Sequence, residues 1–247
     1  MIDIGLILSR FLHYAAVTTL AGASFFPLYT YATAAEPNEL FRWWRSVLLC
    51  AAVVALLSGM LWFVFSVANM SGALVDATDP ELIWTVVQDT GFGNVWSIRL
   101  LLSIIMIGLS WNRVVSKFSP GRDPIMPILA AALLISLAGV GHSQIDEGIA
   151  GIVHVVSDAV HLLAAGAWLG ALVPLGYILL LVGREKERSA QRSELNNVLL
   201  RFSGMGYVAV AALIGSGLIS PRHFRLRRTW DRSVDQISAL LIYRATR

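Results

Sequence analysis

The stretch Gly151-Ile152-Val153-His154-Val155-Val156-Ser157-Asp158-Ala159-Val160-His161-Leu162-Leu163-Ala164-Ala165-Gly166-Ala167-Trp168 is an apolar run interrupted by two histidines and an aspartate. At about 100° per residue, a helix here places His154, Asp158, His161, Ala165 and Trp168 on one narrow stripe, because steps of three and four residues return to the same face. Ionisable side chains at membrane depth are expensive and face a partner, a cavity or a ligand. The run therefore predicts both a membrane helix and a functional face on it.

Composition extends the membrane reading to the whole chain. Hydrophobic residues make up 56% of the 247 and charged residues only 14%, and mean hydropathy is +0.67, far from the balance of a soluble globular domain. The fold class is all-α, a polytopic helical membrane protein. Apolar runs long enough to cross about 30 Å of hydrocarbon lie near 4–33, 46–69, 95–112, 124–141, 150–182 and 198–219, giving about six transmembrane helices. The fifth run is long, so either Pro174 kinks it or its first turns project beyond the bilayer. The start, Met1-Ile2-Asp3-Ile4, lacks a basic leader and reads as the beginning of a retained helix. No soluble domain or internal repeat stands out between the helices.

Charge sorts the connecting segments into two sides. Segment 70–94 carries Asp76, Asp79, Glu81 and Asp89 without Lys or Arg, and 142–149 carries Asp146 and Glu147. Segments 113–123 and 183–197 instead carry Arg113, Lys117, Arg122, Arg184, Lys186, Arg188 and Arg192. The positive-inside rule places the second pair in the cytoplasm and the N-terminus outside. His13, His142, His154 and His161 then all fall in the outer half of the membrane, from three helices, with Asp158 beside them. Neutral imidazole, a carboxylate and thioether sulfur are transition-metal donors, and Met60, Met70 and Met106 extend the set. The single cysteine, Cys50, offers no disulfide partner and no multi-cysteine site.

Other assignments compete for the same residues. Arg10, about one turn from His13, needs a counter-ion, and Asp158 serves that purpose as well as metal ligation. His142 and His154 also read as polar residues at helix ends, and Trp168 as a packing residue. Two histidines on different helices, His13 with His161, can supply the axial ligands of a b-type haem, and a polar stripe can fasten helices together in a structural or assembly subunit. No phosphate-binding glycine loop and no nucleophile with a credible base points to an enzyme. No fold accompanies the basic residues to suggest a nucleic-acid partner.

The string His154-x3-Asp158-x2-His161-x6-Trp168-Leu169-Gly170, preceded by Gly141-His142, resembles the bacterial copper resistance protein D family. Arg10-x2-His13, Thr90-Gly91-Phe92-Gly93-x2-Trp96-x2-Arg99 and Arg201-Phe202-Ser203-x2-Gly206 match in the family's order over residues 5–219. The resemblance implies a bacterial inner-membrane protein that handles copper, helping it from periplasm to cytoplasm, often beside a separate periplasmic copper-binding partner. The positions it implies for metal are His13, His142, His154 and His161, with Asp158 as a further ligand. Copper's oxidation state is left open by a donor set that suits both cupric and cuprous ion.

The match stops near residue 220. Members of this family usually continue into two more spans, whereas residues 221–247 hold seven arginines against Asp231 and Asp235, a net +5. Residues 1–220 thus read as the transmembrane domain and 221–247 as a basic tail. The tail is either an aberrant ending that replaces two spans or an amphipathic surface helix, with Trp230, Val234, Ile237 and Leu241 at helical spacing.

Overall fold

The computed structural model describes residues 2–31, 38–116, 124–138, 149–184 and 189–219. His142, His223 and the tail 221–247 lie outside the described residues. The described residues form helices and no strand: α1 (Ile2–Thr30), α2 (Asn38–Ser71), a 3₁₀ turn (Val75–Thr78), α3 (Pro80–Asp89), α4 (Gly91–Ser116), α5 (Ile125–Ile135), α6 (Ile149–Ala165), a π-helical turn (Gly166–Gly170), α7 (Leu172–Arg184) and α8 (Ser189–Ile219). Five helical stretches are long and apolar enough to cross a membrane: Ile2–Thr30, Trp43–Ser71, Gly91–Asn112, Gly151–Val182 and Leu195–Leu218. The chain is an all-α, multi-span membrane protein. The fourth expected span, 124–141, is described only to residue 138, and its helix is 11 residues long. Its Met126, Ala130, Leu133 and Leu134 are nevertheless fully buried in the core.

α1 is the hub, packing on α2, α5, the π-helical turn, α7 and α8. Val17, Leu20, Ala21, Ala23 and Phe26 on it are completely buried. Pro27 explains one of its attachments. Proline has no N–H, so the carbonyl four residues earlier loses its helical donor, and that carbonyl, on Ala23, accepts from the Trp44 indole N–H of α2 at 2.6 Å. At the end of the same helix the Thr30 carbonyl accepts from the Arg201 guanidinium of α8 at 3.3 Å. A cation there also meets the negative end of the helix dipole.

The long fifth span is one continuous crossing with an irregularity just before Pro174 rather than at it. Pro174 cannot donate to the Gly170 carbonyl, and the π-helical turn ends on Gly170. That widened turn is where α1 crosses most closely. A β-carbon on Gly22 would lie 2.0 Å from the Gly170 carbonyl carbon, and one on Gly170 would lie 2.0 Å from the Thr18 carbonyl oxygen. Two glycines are therefore required for the backbones to touch. Tyr29 secures the crossing by donating to the Ala167 carbonyl at 3.2 Å.

Segment 70–94, read from sequence as a connection, contains α3. Its start is a capped one: Pro80 at the first position, with the Asp79 carboxylate accepting from the Glu81 N–H at 2.9 Å. Thr90 ends α3 and opens α4, its hydroxyl donating to the Val86 carbonyl and accepting from the Gly93 N–H. α4 thus begins earlier than the apolar run at 95. α3 rests Val86 on Phe63, Val67 and Ala68 of α2.

Candidate metal site

His13 sits on the inner face of α1 with 1% of its surface exposed. Its Nδ1 lies 2.9 Å from the Ala55 carbonyl and 3.3 Å from the Ser58 hydroxyl, both on α2. A carbonyl only accepts, so Nδ1 carries the proton and Nε2 is left with its lone pair. Nε2 is buried with no hydrogen-bond partner among the described residues. The ring rests on Gly59, where an added β-carbon would stand 3.2 Å from Cε1, and meets Trp62 edge-on with ring centres 5.5 Å apart. Beside it is a pocket with room for about one water-sized occupant, lined by His13, Gly59, Trp62, Trp96, Arg99 and Ser103 among others.

The stripe on α6 faces elsewhere. His161 Nδ1 is 3.0 Å from the Ser216 hydroxyl of α8, and that hydroxyl donates to the Leu213 carbonyl. Ser216 must therefore accept from His161, which again leaves Nε2 as the acceptor nitrogen. Ser157 donates to the Ser216 carbonyl at 2.8 Å, closing the α6–α8 seam. Two turns outward of His161, His154 Nε2 is 3.3 Å from an Asp158 carboxylate oxygen. The structure thus joins His154 to Asp158, sets His161 against α8, and places His13 separately between α1, α2 and α4. Among the described residues no three His, Cys, Asp or Glu side chains converge on one point.

Among the described residues the Asp158 carboxylate lies against His154, 3.3 Å from its Nε2. Arg10, its alternative partner in the sequence reading, lies over the Trp62 ring at 5.4 Å. Arg99 lies over the same ring at 5.0 Å, is 3% exposed, and donates to the Ser136 hydroxyl at 3.1 Å and to the Ser136 carbonyl. The Tyr14 ring of α1 also meets Trp62, with ring centres 6.2 Å apart. Neither Tyr14 nor Trp62 was singled out from sequence, since aromatic residues in an apolar helix give no chemical signal. Of the methionines, Met106 is fully buried in the core, whereas Met60 and Met70 are exposed.

The chain matches the family described as copper resistance protein D-like, N-terminal domain, over residues 1–152. The chain belongs to the copper resistance protein D-like family. It is 31% identical over 172 residues to the inner membrane protein YebZ of Escherichia coli, covering 69% of this chain and 55% of that protein. It is 28% identical over 212 residues to copper resistance protein D of Pseudomonas syringae, covering 85% of this chain and 67% of that one. Copper transport protein CutJ of Bacillus subtilis is 26% identical over 216 residues, covering 85% and 38%. The chain therefore spans about half the length of its YebZ relative. No solved structure is significantly similar. The family match covers His13, Arg99 and His142 completely and ends two residues before His154.

Proposed function

We propose that this copper resistance protein D-like chain binds copper within the bacterial inner membrane and helps move it from periplasm to cytoplasm, as a transport component rather than an enzyme. The observation that carries the reading is His13: a buried imidazole whose proton is committed to the Ala55 carbonyl and whose Nε2 lone pair, without a hydrogen-bond partner among the described residues, borders a small pocket. An outer-shell acceptor that fixes the tautomer and leaves the opposite nitrogen available is the usual arrangement of a metal-ligating histidine. His161 repeats it through Ser216.

In this reading the ion is captured at His154 and Asp158, with His142 contributing from the adjoining segment, and exchanges inward to His161 and His13. Separate weak sites suit movement, because an ion held in a closed cage would not leave. A periplasmic copper-binding protein would deliver the ion. The names of the relatives, which include copper resistance and copper transport proteins, support copper as the cargo. The haem alternative is disfavoured by geometry: His13 is turned toward α2 and His161 toward α8, and the space beside His13 is far smaller than a porphyrin.

The test is whole-cell copper content in copper-supplemented bacteria expressing the full chain, its His13→Ala variant or neither, with membrane levels of the protein matched. Accumulation with the wild type and loss of the increment in the variant is the expected result. An increment untouched by His13→Ala, or stoichiometric iron in the purified protein, overturns the reading. Accumulation also falls as the periplasm is acidified, because ligating imidazoles must be deprotonated.

A further inference from the structure

The seam between α6 and α8 is held by two serines with different duties. Ser157 of α6 and Ser216 of α8 are 8% and 7% exposed. The Ser157 hydroxyl donates to the Ser216 backbone carbonyl at 2.8 Å, a bond that fastens the two helices. The Ser216 hydroxyl is used otherwise. Its proton goes back to the Leu213 carbonyl at 3.1 Å, and its oxygen meets His161 Nδ1 at 3.0 Å. A hydroxyl whose proton is already committed can only accept, so this bond exists only while His161 carries a proton on Nδ1.

The imidazole is not buried with its partner. His161 is exposed, so the seam takes one nitrogen of the ring and leaves the rest of it open. Asp158, three residues earlier on the same helical face, has 43% of its side chain exposed and offers a carboxylate close by along the helix. Without an acceptor at Nδ1, the neutral ring is free to hold its proton on Nε2 and so to close the nitrogen that a metal needs. We propose that Ser216 is a positioning residue for copper at His161: by accepting from Nδ1 it keeps the Nε2 lone pair available and fixes the direction of the ring. The inference deepens the copper reading above and rests on His161 as one of its ligands. It gives α8 a part in ion handling through a hydroxyl that never touches the ion.

Two readouts on the full chain test this. In copper-supplemented bacteria, cellular copper is measured over a range of external copper with membrane levels of wild type, His161→Ala, Ser216→Ala and Ser216→Thr matched. Ser216→Ala is expected to raise the external copper that gives a half-maximal increment about tenfold, and Ser216→Thr, which keeps the hydroxyl, to stay close to wild type. In the detergent-purified protein, isotope-labelled on its histidine ring nitrogens, NMR at about pH 8, above the ordinary imidazole range, reads which nitrogen holds the proton; the His161 signals are those missing from His161→Ala. The wild type is expected to hold it on Nδ1 and Ser216→Ala to move it to Nε2. Ser157→Ala, which loosens the seam without touching the ring, is expected to keep the wild-type tautomer. A folded Ser216→Ala protein with an unchanged tautomer or unchanged half-maximal copper overturns the inference while leaving His161 as a ligand. A copper increment indifferent to His161→Ala takes His161 out of the copper route and the inference with it, and no increment from the wild type overturns the copper reading as a whole. Should Ser216→Ala fail to fold, the wild type decides: a proton on Nε2 overturns the proposal, and a proton on Nδ1, kept in Ser216→Thr together with wild-type accumulation, supports it.

Discussion

A histidine becomes a ligand only when its surroundings decide which nitrogen holds the proton. Ala55 makes that decision for His13 and Ser216 makes it for His161, and neither partner is visible from the spacing of histidines along the chain. Gly59 contributes by leaving room for the ring. An added β-carbon would stand 3.2 Å from Cε1 and 3.3 Å from Nδ1, so Gly59→Ala is expected to shift the imidazole by a few tenths of an ångström. The His13-dependent increment of cellular copper should fall about tenfold while helical content by circular dichroism stays unchanged. An undiminished increment would show that the ring position is not critical. Asp158 has a different signature: Asp158→Asn keeps its shape but removes the charge beside His154, and copper accumulation at low external copper should drop several-fold, as for a charged partner lost.

At the level of elements, two prolines set where helices are joined to their neighbours. Pro27 frees the Ala23 carbonyl, and Trp44 satisfies it. Trp44→Phe keeps most of the ring but leaves a fully buried carbonyl unpaired, at a cost of about 1–3 kcal/mol. Thermal aggregation of the detergent-purified protein should therefore occur at lower temperature. Pro27→Ala restores a local donor, so the double variant is expected to regain part of the loss; no recovery would refute this account of the Trp44 bond. The π-helical turn before Pro174 serves the α1 crossing in the same way. Gly170→Ala would drive its β-carbon into the Thr18 carbonyl, whereas Gly176→Ala on α7 meets open space. The first should abolish the folded protein in membranes and the second should leave its yield unchanged.

For the whole molecule, orientation follows from the distribution of charge. With Cys50 replaced by serine, a cysteine at exposed Gln88, on α3, is expected to react with a membrane-impermeant maleimide added to intact spheroplasts. A cysteine at exposed Asn196, near the start of α8, should react only after permeabilisation. The reverse pattern would place the histidines on the cytoplasmic side and invert the direction of transport. α1 is the element on which the rest depends, because α2, α5, α7, α8 and the π-helical turn all pack on it.

Hydropathy and the helical period were enough to establish the membrane class, the positions of the long spans and the polar stripe His154, Asp158, His161, because burial in lipid constrains twenty-residue stretches locally. Gly166 and Gly170 were legible as close-packing residues, but only the folded chain shows that they pack within one molecule, against Leu134 and Ala21 and against Thr18 and Gly22. α3 was hidden because its cap and short amphipathic turn resemble an ordinary connection until Val86 is seen against α2. Which histidines share a site was decided by helix packing alone. A stripe specifies one face of one helix, and the partner it meets is set by how that helix is rotated against its neighbours. That rotation turned α6 toward Ser216 of α8, left His13 to α2, and brought Arg99 of α4 to the pocket that His13 lines.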